Sequence, residues 1–213
     1  IFLGSFSASL VHFPFKNWKL LFNSFSILFK KEISHDAKVF YLIEFSEKMN
    51  TLSNRELIGH LDKCDDFFLR KSLLFVIEGI ETDQIKSYME EYIDYMEERH
   101  NLCIDFFDEF GKYAPGFGLI GTIIGFTVLL KNLEDLDTLA QGVSIAFITT
   151  FYGVVISYVF CAPISGRLST YSKDEIRLRK LLLAGILLIS ERKSTYELKE
   201  KLMLLVSENN QNK

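Results

Sequence analysis

Hydrophobic and polar positions divide this chain into two kinds of helix. From Thr82 onward the apolar residues Ile85, Tyr88, Met89, Tyr92, Ile93, Met96, Cys103, Phe107 and Phe110 recur at three- and four-residue intervals, and Glu90, Glu91, Asp94, Glu97 and Glu98 fill the other face. That period predicts one long amphipathic helix. At Tyr113 the pattern changes. Residues 113–130, YAPGFGLIGTIIGFTVLL, are apolar on every side, and residues 139–164 carry no charge. The second run is long enough to cross about 30 Å of hydrocarbon with some tilt, and the first sits at the lower limit. The link between them, KNLEDLD, is too polar for lipid. The pair therefore reads as a transmembrane hairpin that the long helix enters directly, as a lever.

The flanking segments complete an all-α, polytopic membrane protein. Residues 1–13 are apolar and rich in small side chains, and read as the end of an earlier transmembrane helix. Residues 14–112 form a helical cytoplasmic domain. Within it, Asn17 to Phe29 repeats apolar positions beside Lys16, Lys19, Lys30 and Lys31, as an amphipathic helix near the inner surface or an ordinary soluble helix would. Ser34 or His35 can cap a helix to about Met49. Asn54 opens another, running on through NRELIGHLDKCDDFFLRKSLLFVIEGI to a stop at Gly79. After the spans at 113–130 and 139–164, joined by an outer loop at 131–138, residues 165–213 form C-terminal cytoplasmic helices. Their apolar run LLLAGILLI is too short to cross a bilayer and is flanked by charge, so it should bury against the other cytoplasmic helices.

Charge sets the orientation. Lys112 precedes the hairpin and Arg167, Lys173, Arg177, Arg179 and Lys180 follow it, whereas the link sets Lys131 against Glu134, Asp135 and Asp137. Lysine and arginine near membrane ends stay inside, so both large flanks are cytoplasmic. A net charge of −4 gives no reason to expect nucleic acid as a partner. Cys64, Cys103 and Cys161 are odd in number and lack metal-ligand spacing, and read as reduced structural residues. The histidines at 12, 35, 60 and 100 are scattered, and no phosphate-cradling loop or His-Glu-x-x-His occurs. The pattern points away from an enzyme, and no cofactor is expected.

The spans carry the more specific chemistry. Gly118, Gly121, Thr122 and Gly125 share one face of the first; Gly142, Ala146, Thr150, Gly153 and Ser157 recur every three or four residues in the second. Such seams can pack a partner helix and line a narrow hydrated path, or their hydroxyls can bond to their own helix backbone. Pro115 and Pro163 withhold an amide from the carbonyls of Gly111 and Val159, marking hinges, ion contacts or helix ends. Neither span contains Asp, Glu, Lys, Arg or His. An ionisable group for cation relay must therefore come from another subunit.

YAPGFGLIGTIIGFTVLLKNLED followed by GVSIAFITTFYGVVISYVFCAPISGRL closely resembles the third and fourth transmembrane helices of the MotA/PomA family, the flagellar motor stator A subunits. EEYIDYMEERH is similar to that family's long cytoplasmic helix, and GSFSASLVHFPF to the end of its second span; the likeness is strongest from Met89 to Leu168. The resemblance implies an inner-membrane ring of five chains around two copies of a MotB/PomB-type partner, which carries the intramembrane aspartate and a peptidoglycan-binding domain. Ion flow then turns the ring against the rotor protein FliG. By the same resemblance Pro115 and Pro163 serve coupling, and Thr122 and Thr150 match threonines of sodium-driven members, which favours transported Na+ over H+. Rotor-facing charges align as Glu47 with Arg55 or, shifted by one, as Lys48 with Glu56, unless they form only a solvated face. The competing readings are an ExbB/TolQ-type energiser, whose order of cytoplasmic segments differs, and a non-conducting membrane scaffold.

Overall fold

The computed structural model describes residues 1–13, 19–21, 24, 26, 35–131 and 136–211. Among them every regular element is a helix: α1 Phe2–His12, α2 His35–Met49, α3 Asn54–Leu61, α4 Phe67–Ile77, α5 Thr82–Lys131, α6 Leu136–Val155, a π-helical turn Ile156–Cys161, α7 Ala162–Ser190 and α8 Thr195–Gln211. Two units result, residues 32–97 with 172–213 and residues 1–31 with 98–171, and α5 and α7 supply segments to both. Most of the expected surface helix at 17–29, and the Ser34 cap, lie outside the described residues.

The first unit is built around a conventional apolar core. Ile85, Met89, Ile93 and Met96 of α5 are buried together with Leu42, Leu57, Leu61, Phe68, Leu69 and Leu73. Each such side chain contributes about 1.5–3 kcal/mol when fully withdrawn from water. The LLLAGILLI run behaves as expected: Leu181, Leu182, Leu183, Ile186, Leu188 and Ile189 are all in this core. Tyr88 departs from the predicted stripe, being 51% exposed and resting its ring against Phe75 at 6.1 Å.

The helix expected from Asn54 to Gly79 is two helices, and the break has a specific cause. Asp66 takes the N-cap of α4, its Oδ1 accepting from the backbone N–H groups of Phe68 at 3.0 Å and Leu69 at 3.2 Å. These are two of the donors that the first turn of a helix leaves unpaired. The same carboxylate receives Arg179 Nη1 at 2.7 Å on both oxygens and bonds to Lys38 Nζ. Glu175 takes Arg179 Nη2 at 3.2 Å, and the guanidinium lies 5.2 Å from the Phe68 ring centre. Gly79 ends the segment as expected, at φ +75, where a side chain would be strained.

The second unit contains the apolar hairpin and α1. Phe6 and Phe13 meet Phe106 edge-on at 5.9 and 5.4 Å, and Phe2 meets Phe110 at 5.3 Å. Ser5 and Ser9 are buried, their hydroxyls donating to the carbonyls of Ile1 and Ser5 within the same helix. α5 passes Pro115 without a break, so the predicted boundary at 113 is a change of surroundings and not the end of an element. Leu119, Ile123, Ile124, Phe147 and Phe151 are more than half exposed. Contiguous apolar surface of this kind is stable facing lipid.

Burial works to raise the Asp66 carboxyl, but the hydrogen bonds and charges of Arg179 and Lys38 prevail and set it at about 2, below the usual 3.8. A folded value below the unfolded one means that the stabilisation is complete above about pH 4 and is lost as pH falls through 2. Asp66→Ala should cost about 3 kcal/mol, since it uncaps α4 and strips a buried guanidinium of its main partner. Thermal melts followed by circular dichroism should show a lower midpoint for the variant at neutral pH and a smaller loss of stability than wild type in acid.

Candidate functional site

Lipid offers no hydrophobic drive for two apolar helices to associate, so the spans must gain from close packing. Their glycines provide it. A Cβ on Gly118 would lie 2.9 Å from the Thr149 carbonyl oxygen, one on Gly125 2.9 Å from the Gly142 carbonyl oxygen, and one on Gly153 2.8 Å from that of Ala114. Gly142 faces the Gly125 carbonyl and Leu129 in return, Ala146 is buried beneath Gly125, and Gly121 receives the side chain of Thr149. Within this chain the neighbour they touch is the other arm of the same hairpin. Spacing along one helix shows that another backbone comes close without showing whose.

At the edge of this seam sits a cluster of oxygens. Thr122 Oγ1 lies 2.5 Å from Thr150 Oγ1, 3.0 Å from the Ala146 carbonyl and 3.2 Å from the Gly118 carbonyl. The back-bond to Gly118 is the ordinary habit of a helical threonine, also seen for Thr127 to Ile123 at 2.8 Å. The contacts to Ala146 and Thr150 are not, because they cross to the other arm. Thr150 is exposed, so the hydroxyl pair is open to whatever lies alongside the hairpin. Among the described residues, the buried positions of the second span are Gly142, Ala146, Gly153, Ser157 and Cys161.

Neither proline ends a helix. Pro115 lies inside α5. Pro163 follows the π-helical turn Ile156–Cys161, where the N–H of Ala162 reaches five residues back to the Ser157 carbonyl. Such turns widen a helix locally and recur at functional sites. A cleft of about 370 Å³ opens between Pro115 and this turn, lined also by Asp108, Gly111, Ser157 and Cys161. Asp108 escaped the sequence reading, in which it was one carboxylate among many on an amphipathic helix. Its Oδ1 accepts from Ser165 Oγ at 2.5 Å.

The candidate rotor-facing charges separate into engaged and free. Lys48 Nζ bonds Glu44 Oε1 at 2.5 Å, and Glu56 folds back to accept from Ser53 N at 2.9 Å and Ser53 Oγ at 2.7 Å, the acidic half of a capping box. These hydrogen bonds lower the Glu56 carboxyl. Glu47 and Arg55 are exposed and have no ion-pair partner among the described residues.

An all-helical membrane protein with a hydroxyl-bearing, charge-free hairpin is what this fold and site define. Residues 60–180 match the model of the MotA/TolQ/ExbB proton channel family. Motility protein A of Bacillus subtilis (strain 168) is 30% identical over 208 residues, covering 96% of this chain and 76% of the relative. The chain belongs to the MotA/TolQ/ExbB proton channel family, on its MotA/PomA side, among channel and motor components and not enzymes. Its fold is that of the solved C. jejuni MotAB structure, with a TM-score of 0.89 at 22% identity over 96% of this chain and 81% of that one. The flagellar MotAB stator complex from Bacillus subtilis matches at 0.84 and 27%, over 98% of this chain and 83% of that one.

Gly125→Ala should destabilise the hairpin by about 1–3 kcal/mol, because the new methyl meets backbone atoms that cannot give way. Gly116→Ala, with nothing within 4 Å, should be tolerated. Comparing membrane levels and detergent melting of the two variants checks this; equal behaviour would mean that the backbone contact does not hold the arms together.

Proposed function

We propose that this chain is the A subunit of a flagellar stator in the bacterial inner membrane, five copies surrounding two copies of a MotB/PomB-type partner. In this reading the partner supplies the carboxylate that the hairpin lacks, together with a peptidoglycan anchor. Cations crossing the membrane then turn the ring, which pushes on FliG. Each charge moved delivers about 2.3 kcal/mol per 100 mV, so a large rotational step draws on several ions. The family membership supports the stator role. The observation that carries the transport reading is the Thr122–Thr150 hydroxyl pair at the exposed edge of an otherwise apolar hairpin.

That pair also supports sodium as the transported ion. A partly dehydrated sodium ion needs oxygen ligands, whereas a proton can pass along water to a carboxylate. The Thr122 and Thr150 hydroxyls and the nearby Ala146 and Gly118 carbonyls supply such oxygens. For the rotor contact, Glu47 and Arg55 are the better pair, since their charges are unengaged and exposed. Exposed charges of this kind steer and register an encounter more than they add affinity.

The test is motility in cells lacking their own stator and supplied with this chain and its partner. Thr122→Ala with Thr150→Ala should raise the sodium concentration that gives half-maximal swimming speed by about tenfold, since the ion loses two ligands. Undiminished swimming of the wild type in sodium-free medium would rule out sodium. Normal motility after replacement of Pro115 and both threonines would leave the chain a passive scaffold.

A further inference from the structure

The outward face of α3 carries an arrangement that the helical core does not require. Leu57 and Leu61 bury the inner side of this short helix, and Arg55, Ile58, Gly59 and the C-cap Asp62 follow one another at three- and four-residue steps on the side left exposed. They form one stripe. Ile58 is 41% exposed, and a single exposed isoleucine is ordinary. Gly59 beside it is not. It stands inside an eight-residue helix, where glycine weakens an element already too short to be stable by itself.

Other glycines of the chain have a visible cause. Gly79 is required by its positive φ, and Gly125 by the backbone it meets. Gly59 has neither, since it is helical and a Cβ on it would find nothing within 4 Å. Within this chain the missing side chain serves no contact. It would serve a surface laid against α3, which could approach the backbone there and cover Ile58 in the same contact.

The ends of the stripe indicate the chemistry of that surface. Arg55 and Asp62 are exposed, of opposite sign, and have no ion-pair partner among the described residues. Seven residues of helix set them about 10 Å apart, with the apolar step between them. We propose that the rotor partner packs on this stripe, seating an apolar side chain over Gly59 and Ile58, with a carboxylate toward Arg55 and a cation toward Asp62. The proposal rests on the stator reading above and adds to it the part of the contact that holds. Exposed charges steer the encounter, whereas a small covered apolar centre sets how long it lasts.

The experiment uses stator-deleted cells carrying the full chain and its partner at matched membrane levels, and reads swimming speed together with the affinity of the purified stator complex for the rotor protein. Gly59→Ala should melt no lower than wild type, because alanine is the better helix former and meets nothing. Gly59→Leu should melt no lower either, yet weaken rotor binding about tenfold and slow swimming, and Ile58→Asp should weaken binding by a similar factor. Tyr196→Ser, which removes a 74% exposed aromatic from α8, should bind and swim as wild type. The docking stripe is overturned if Gly59→Leu and Ile58→Asp bind the rotor protein as wild type does, or if Tyr196→Ser weakens binding as much as they do. It is also overturned if they slow swimming only by changing the size of the stator complex, which would assign the stripe to a second copy of this chain. Failure of the wild-type chain and partner to restore any swimming would overturn the stator reading itself, and the docking stripe with it.

Discussion

Direct backbone contact between the two apolar helices is the constraint on which the rest of the hairpin depends. With Gly118, Gly125, Gly142 and Gly153 at the crossing, carbonyl oxygens of one arm stand only 2.8 to 3.1 Å from where the Cβ atoms of the other would be. This does more than hold the arms together. Close contact fixes their register, and the register places Thr122 opposite Thr150, 28 positions away in sequence. A slip of one residue would turn each face by about 100° and carry the two hydroxyls apart. The same glycines that make the run a poor helix in water, at about 1 kcal/mol each, thus specify where its polar atoms meet.

The helical-core unit rests on different physics. Its stability comes from burial of leucine, isoleucine and phenylalanine, and a concentrated polar feature within it is Asp66 with Arg179, Lys38 and Glu175. A buried ion network is not in itself a large source of stability, since desolvation offsets much of the attraction. Arg179 Nε, buried without a partner, adds to that cost. The network's use is specificity. One carboxylate starts α4, turns the chain after α3 and selects the guanidinium of α7, so three elements share a single geometric solution.

What could be read from sequence follows from the range of the interactions concerned. The stripe Ile85, Met89, Ile93, Met96 and the burial of LLLAGILLI depend on local period and flanking charge, and both were legible. So was the stop at Gly79, which needs only a residue that accepts positive φ. The break between Leu61 and Phe67 was not, because the capping role of Asp66 is reinforced by a residue 113 positions away. The glycine seam was legible as a place of close approach, but spacing did not say that the other arm of the hairpin is the neighbour that fills it. Among the candidate rotor-facing charges, alignment alone left Glu47 with Arg55 and Lys48 with Glu56 equivalent. Only the local bonds of Lys48 to Glu44 and of Glu56 to Ser53 distinguish them.

The distances along the helices bear on why such a hairpin needs company. From Thr150 to Ser157 is seven residues, a rise of about 10 Å. That is too far for a dehydrated ion to pass directly from one oxygen to the next, and neither span contains a charge to lower the cost of the interval. Hydroxyls and carbonyls can replace part of a hydration shell, but they do not compensate a full charge in a low-dielectric setting. In the stator reading, a carboxylate brought by a neighbouring chain to the open edge at Thr150 would fill the gap at its most costly point. A hairpin without charge of its own then has a functional logic. In the proposed stator it would conduct only where a partner's acid stands beside its hydroxyls.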